Sequence, residues 1–209
     1  MNIAVLCSGN GTNLQAIIDS VKAGYIPAKI ELVISDKKEA FALERAKKAG
    51  IETITLDKKD YKSREEFDKD IIRRLKKSSI ELVVLAGFMR LLSPRFIREY
   101  KDKILNIHPA LLPSFKGTHG VKDALDCGVK VTGVTVHFVD EHLDNGPIIL
   151  QKYVDIKDDD TEETLLERVH KEEYRIYPEA IKLFVEGKLK IEGRKVRVIA
   201  RRPKADEAI

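Results

Sequence analysis

Four stretches of this 209-residue chain carry side chains suited to an acyl carbon and an anionic ligand. Asn106 and His108 lie two apart in an apolar run, and in an extended strand that spacing points both side chains to one face. An amide N–H and an imidazolium suit the negative oxygen of a tetrahedral intermediate, and the imidazole can also move a proton. On the residues alone, the structural reading of an isolated N-x-H, hydrogen-bonding the irregular loop after it, stands beside this one. Pro109 and Pro113 stiffen that loop and admit a cis bond before Pro113. Asp144 sits in a polar loop over residues 140–146 and by itself reads as a turn aspartate. Glu173 is different, because Leu166, Val169, Glu173, Tyr177, Ala180 and Phe184 recur at helical intervals. That stripe buries a carboxylate, which then needs a partner.

The run 8–14, SGNGTNL, joins a buried strand to a helix, where backbone N–H groups and a helix N-terminus can cradle a phosphate. Gly11, Thr12 and Asn13 are the residues nearest such an anion. Two other readings stay open: a tight βα turn capped by Asn13, and a dinucleotide loop with Asp36 as the ribose acid. Leu14 at the third glycine position weakens the latter. No H-x-x-x-H or H-E-x-x-H pair occurs, and His137 and His142, five apart, would face opposite sides of a strand. No metal site is expected.

The elements that must position these residues alternate regularly. Strands are expected over 2–7, 30–35, 51–56, 81–86 and 104–107, with helices between them, the pattern of βαβ units feeding a parallel sheet. Asp36 with Glu39, and Ser63 with Glu66, read as capping boxes for the second and third helices. A short helix begins at Pro94 and another covers 121–127. Segments 132–139 and 147–154 then read as a hairpin, so the sheet becomes mixed. A long helix capped by Thr161 runs to Lys182 with an interruption at Pro178, and 188–199 reads as two short strands turned at Gly193.

The formal charge of +4 is the small difference between 38 basic and 34 acidic residues, spread along the chain. That favours small anionic ligands and calls for no nucleic acid. No apolar run approaches the roughly 20 residues of a membrane helix, so a cytoplasmic protein without membrane attachment is expected. Cys7 and Cys127 read as isolated reduced thiols.

The run 106–113, NIHPALLP, resembles the N-x-H-P-S-L-L-P segment of the 10-formyltetrahydrofolate-dependent formyltransferases, with Ala110 where Ser is commoner. The run 144–151, DNGPIILQ, is similar to that family's D-x-G-P-I-I-L-Q signature, whose aspartate faces the catalytic histidine. The resemblance covers residues 1 to about 190. It implies an α/β, Rossmann-like formyltransferase fold, with a parallel N-terminal βαβ half continuing into a mixed sheet with a C-terminal antiparallel part. A single domain over 1–209 is expected: 1–100 the phosphate-binding half, 101–190 the catalytic and folate-binding half, 191–209 a C-terminal tail.

The same resemblance implies a function. Formyl passes from 10-formyltetrahydrofolate, the co-substrate, to the amine of glycinamide ribonucleotide in purine biosynthesis. Asn106, His108 and Asp144 would be catalytic, with Asp144 favouring the charged form of His108. Gly11, Thr12, Asn13, His170 and Glu173 would hold the ribonucleotide. Folate would meet Arg64 at its glutamate tail, the segment Phe88, Met89, Arg90, Leu91 and Leu92 at its pteridine, and Val139, Asp140, Glu141, His142, Leu143 and Asp144 with Asn106. His119 matches a family histidine, whereas Gly120 and Val121 depart from the pattern there. Both partners are small molecules, and the protein is expected as a monomer or homodimer. A formyltetrahydrofolate hydrolase, or a non-catalytic nucleotide-binding module, is the alternative.

Overall fold

The computed structural model of the chain describes residues 1–199, so the end of the expected C-terminal tail, 200–209, lies outside the described residues. Strands β1 (Asn2–Cys7), β2 (Lys29–Ser35), β3 (Glu52–Thr55), β4 (Leu82–Leu85) and β5 (Ile104–His108) pair in parallel. Helices α1 (Thr12–Lys22), α2 (Phe41–Lys48), α3 (Arg64–Lys77) and α4 (Pro94–Glu99) connect them. After α5 (Gly120–Cys127), β6 (Val131–Phe138) and β7 (Ile148–Asp155) continue the sheet antiparallel to β5. The long α6 (Glu162–Val185) then leads to a hairpin of β8 (Leu189–Glu192) and β9 (Lys195–Val198). β9 joins β7, giving one nine-stranded sheet ordered β3-β2-β1-β4-β5-β6-β7-β9-β8. The expected mixed α/β architecture is therefore present, and the hairpin belongs to the sheet.

Alternation along β1 shows why both faces must be covered. Ile3, Val5 and Cys7 enter the cluster built with α1, α2 and α6, whereas Ala4 and Leu6 enter the one built with α3 and α4. Strand order reverses at β1, so the crevice beyond the carboxyl ends of β1 and β4 is where an open sheet of this kind receives ligands. Among the described residues no helix is long and apolar enough to cross a membrane.

Local chemistry departs from expectation at three points. No side chain caps α2: its N-cap is Ala40, and the Ala42 N–H donates instead to the Gly9 carbonyl at 3.1 Å. The Asp36 and Glu39 pattern is thus unused, because the helix end is docked against the glycine-rich loop. At α3 the Ser63 hydroxyl accepts from the Glu66 N–H, but Glu66 reaches past Ser63 to the Lys62 N–H, so only half the box forms. The expected interruption at Pro178 is absent, and α6 runs on to Val185. Proline removes one helical hydrogen bond. Ile176, Tyr177, Ala180 and Ile181, all buried on either side of it, hold the helix against the sheet.

Candidate functional site

The carboxyl ends of β1, β4 and β5 supply the floor. Asn106 and His108 on β5 face His137 and Thr135 on the antiparallel β6. The Asn106 Nδ2 lies 3.1 Å from His137 Nε2. His137 Nδ1 lies 2.7 Å from the Phe138 carbonyl, which can only accept, so Nδ1 carries the proton and Nε2 accepts from the Asn106 amide. One N–H of Asn106 is committed in this way. The other is left for a ligand oxygen.

Asp144 reaches this pair from the loop between β6 and β7. Its carboxylate is 3.5 Å from His108 Nδ1 and 3.7 Å from His137 Nε2, and it accepts the Gly117 N–H at 2.9 Å. Asp144 holds a left-handed backbone, φ 45°, in a loop that closes tightly at Gly146. A Cβ there would stand 1.8 Å from the Phe138 carbonyl oxygen, so the approach of this loop to β6 requires glycine. The second nitrogen of His108, Nε2, donates to the Phe115 carbonyl at 2.7 Å.

Burial pushes the His108 imidazole below its ordinary pKa by more than Asp144 and the Phe115 carbonyl raise it. Asp144 favours the charged form of His108, as expected, but desolvation of the ring outweighs the nearby carboxylate. Burial also pushes the Asp144 carboxyl up. The neighbouring His137 and His108 rings and the Gly117 hydrogen bond more than reverse this and leave it below the usual carboxylate range. A neutral imidazole beside an ionised carboxylate can take up a proton at little cost.

The following prolines are anchored rather than loose. Thr135 Oγ1 donates to the Ala110 carbonyl at 2.7 Å and accepts the Leu112 N–H, and Gln151 Nε2 donates to the Leu112 carbonyl. The Leu112–Pro113 bond is cis.

A second buried polar pair closes the other side of the crevice. Asn13 Nδ2 donates to Glu173 Oε2 at 2.9 Å, and Asn13 Oδ1 is buried without a hydrogen-bond partner. Asn13 is therefore not the cap of α1. That position is Gly11, at φ 76°, whose carbonyl accepts the Gln15 N–H. Burial, partly offset by Asn13, raises the Glu173 carboxyl to about 7. His170 Nε2 stands 4.0 Å from Glu173, its ring stacked on Tyr174. One turn beyond Glu173, the Tyr177 hydroxyl meets the carbonyls of Leu85 and Leu105, at 2.8 and 3.1 Å. The turn of α6 that follows Glu173 is thereby tied to β4 and β5.

Gly11 and Thr12 open α1, where the first N–H groups have no partner inside the helix. Arg45 of α2 braces the loop through the Asn10 carbonyl and side chain, at 2.9 and 3.0 Å. A Cβ at Gly11 would meet Ala42 at 2.6 Å in a left-handed backbone. Gly11→Ala is expected to cost about 1–3 kcal/mol of stability and to displace the loop, read by thermal unfolding together with affinity for a phosphorylated ligand.

The proposed folate residues separate into two kinds. Phe88 and Leu92 are core, packed with Phe67, Phe96 and, from the other loop, Val139. Their side chains are buried in that cluster, which leaves backbone as what these two positions can offer a ligand. Met89 and Leu91 are 64% and 58% exposed, and Leu143 is exposed too. The Met89 N–H donates to Ser8 Oγ at 3.0 Å, tying this segment to the glycine-rich loop. Arg90 lies 4.2 Å over the Phe67 ring. Arg64 is partly exposed, 3.8 Å from Glu65. In the second loop Asp140 accepts from the His142 N–H and the Asn145 amide, and Glu141 pairs with Arg98 at 3.4 Å. His142 and His119 are exposed and belong to neither polar pair. Among the described residues no group of three or more His, Cys, Asp or Glu could hold a metal ion.

The model of the formyl transferase family matches residues 1–181. The chain belongs to the formyl transferase family. Within it, the chain is 47% identical over 191 residues to the phosphoribosylglycinamide formyltransferase of Escherichia coli K12, covering 91% of this chain and 90% of that protein. It is 50% identical to a segment of the trifunctional purine biosynthetic protein adenosine-3 of Gallus gallus, of whose length it spans only 19%. A solved glycinamide ribonucleotide transformylase 1 from Symbiobacterium toebii superposes with a TM-score of 0.94 at 50% identity, over 96% of this chain and 94% of that one.

His137 is the residue that sequence reasoning missed. The available signal was Thr135 and His137 at alternate positions of a largely apolar strand, two polar side chains sharing one face. Replacing His137 by Phe is expected to free the Asn106 amide and lower the transfer rate by roughly tenfold to a hundredfold with little change in fold, checked by steady-state kinetics against circular dichroism.

Proposed function

We propose that this family member transfers the formyl group of 10-formyltetrahydrofolate to the amine of glycinamide ribonucleotide, a cytoplasmic step of de novo purine synthesis. The observation that carries the reading is the convergence of Asn106, His108 and Asp144, three residues from two separate regions, with His108 Nδ1 3.5 Å from the carboxylate. In this reading the amine attacks the formyl carbon directly. A C–N bond forms to the amine as the carbonyl electrons move to oxygen. The free N–H of Asn106 holds that oxyanion together with the His108 ring, which takes up the proton shed by the amine and turns its Nε2–H from the Phe115 carbonyl to the oxygen. Collapse breaks the bond to the folate nitrogen, which leaves with a proton, and Asp144 stabilises the imidazolium while the proton is carried. No covalent enzyme intermediate is needed.

The side chains around the crevice suit both substrates. Glu173 and the unpaired Asn13 Oδ1 are two buried acceptors, and an amine or ribose hydroxyl supplies the donors they need. The start of α1 suits a phosphate. Exposed Met89, Leu91 and Leu143 offer apolar surface to a flat heteroaromatic ring, and Arg64 a cation to an acidic tail.

Release of the folate product by purified protein, followed with and without glycinamide ribonucleotide, tests this. Release only when the amine is present is expected. Release indifferent to the amine points to the hydrolase, which the Asn13–Glu173 pair disfavours because water needs no such recognition.

A further inference from the structure

Asp68 is a buried carboxylate that the transfer chemistry does not use. It is 2% exposed, on the face of α3 that also buries Phe67, Ile71 and Ile72. Its Oδ2 accepts the backbone N–H of Ser93 at 2.5 Å. Ser93 is itself fully buried and caps α4, its hydroxyl accepting the Phe96 N–H at 3.3 Å. A charged acceptor on a backbone donor is among the stronger hydrogen bonds.

Consider what this contact spans. Segment 87–92 leaves β4 and ends at Ser93. Its near end is fixed by Ser8, whose N–H donates to the Gly87 carbonyl at 3.0 Å and whose hydroxyl accepts the Met89 N–H. Its far end is fixed by Asp68. Between the two anchors Phe88 and Leu92 point into the core, leaving Met89 and Leu91 on the surface. Arg64 lies one helical turn before Asp68 on the same side of α3. The charges of Arg64 and Arg90 both act on the Asp68 carboxylate, opposing the effect of its burial.

We infer that Asp68 is a positioning residue for the formyl-folate site: it ties the apolar segment 87–93 to the helix that carries Arg64, setting the spacing between ring-facing and tail-facing groups. This rests on the folate reading above. The ribonucleotide residues Gly11, Asn13 and Glu173 lie on α1 and α6, packed on the other face of the sheet, so the tether governs one substrate and spares the other.

Steady-state kinetics of full-length Asp68→Ala, with each substrate varied in turn, tests this. The KM for 10-formyltetrahydrofolate is expected to rise on the order of tenfold, because a buried N–H loses its acceptor. The KM for glycinamide ribonucleotide is expected to stay within about twofold, as for a site without shared partners. Asp68→Asn, which keeps an acceptor oxygen, is expected to recover most of the folate KM. A purely structural role would instead lower kcat through a smaller active fraction, with both KM values unmoved, and that result overturns the inference. So does an equal rise in both KM values. Should Asp68→Ala not fold, Asp68→Glu keeps the charge at the wrong reach, and an unchanged folate KM there has the same force. Wild-type protein that neither binds nor turns over formyl folate would remove the activity reading itself; active wild type with an indistinguishable Ala variant removes this inference alone.

Discussion

Replacing His108 by Ala is expected to lower kcat for formyl transfer on the order of 10²-fold or more, about 3 kcal/mol of transition-state stabilisation. The ring is buried beside Asp144 and two residues from Asn106, so its loss removes an oxyanion partner and the proton carrier together. Asp144→Asn keeps the shape of the loop and deletes the charge, and a loss of roughly tenfold to a hundredfold is expected. Because the two groups act on one proton, the double variant should fall little below His108→Ala alone. Fully additive losses would separate their roles. A folded His108→Ala protein with an unchanged rate would leave the binding-module alternative standing.

The same pair has a pH signature. Asp144 raises the His108 pKa while burial lowers it by more. In Asp144→Asn burial still lowers it and only the Phe115 carbonyl still raises it, so the imidazole is expected to titrate at lower pH than in the wild type. An NMR titration of the His108 ring that moved upward instead would mean that the carboxylate does not stabilise the imidazolium.

How much of this was written locally in the chain differs from residue to residue. The parallel strands were legible because each is a short β-branched run between helical patterns, and the β6–β7 hairpin because its two extended runs flank a polar loop. Asn106 and His108 were legible as a pair because strand alternation is a local rule. Asp144 was legible only through the resemblance, since a turn aspartate has the same local appearance as one facing a histidine. His137 was illegible for a related reason. Its partner Asn106 is 31 residues away, and their contact depends on the antiparallel register of β5 with β6. The capping pattern at Asp36 and Glu39 was correct in residue type and failed because Gly9, remote in sequence, took the Ala42 N–H. Phe88 and Leu92 were read as ligand contacts together with Met89 and Leu91, and only packing separates the inward from the outward pair.

Glu173→Gln is expected to stabilise the unliganded protein and weaken it as an enzyme. The Glu173 carboxyl titrates at about 7 against an ordinary value of 4.5, because burial disfavours its charged form. Asn13, His170 and Tyr177 face it, and among the described residues only Asn13 hydrogen-bonds the carboxylate. Between pH 4.5 and 7 the folded state holds a proton here that the unfolded state has lost, so this contribution to stability is complete below pH 4.5 and disappears as pH rises through 7. The cost of the ionised form above pH 7 is about 3 kcal/mol. Glutamine has no such cost. The variant should therefore match the wild type near pH 4 and unfold on the order of 5–10 °C higher at pH 8. The ribonucleotide KM should rise tenfold or more, since a neutral amide is the weaker acceptor for the amine. Ligand N–H groups favour the ionised carboxylate, so wild-type binding at pH 6 should release a proton to the buffer, measurable by calorimetry in buffers of different ionisation enthalpy. Parallel stability profiles for the two proteins, with no proton released on binding, would remove Glu173 from the site and leave Asn13 without its function.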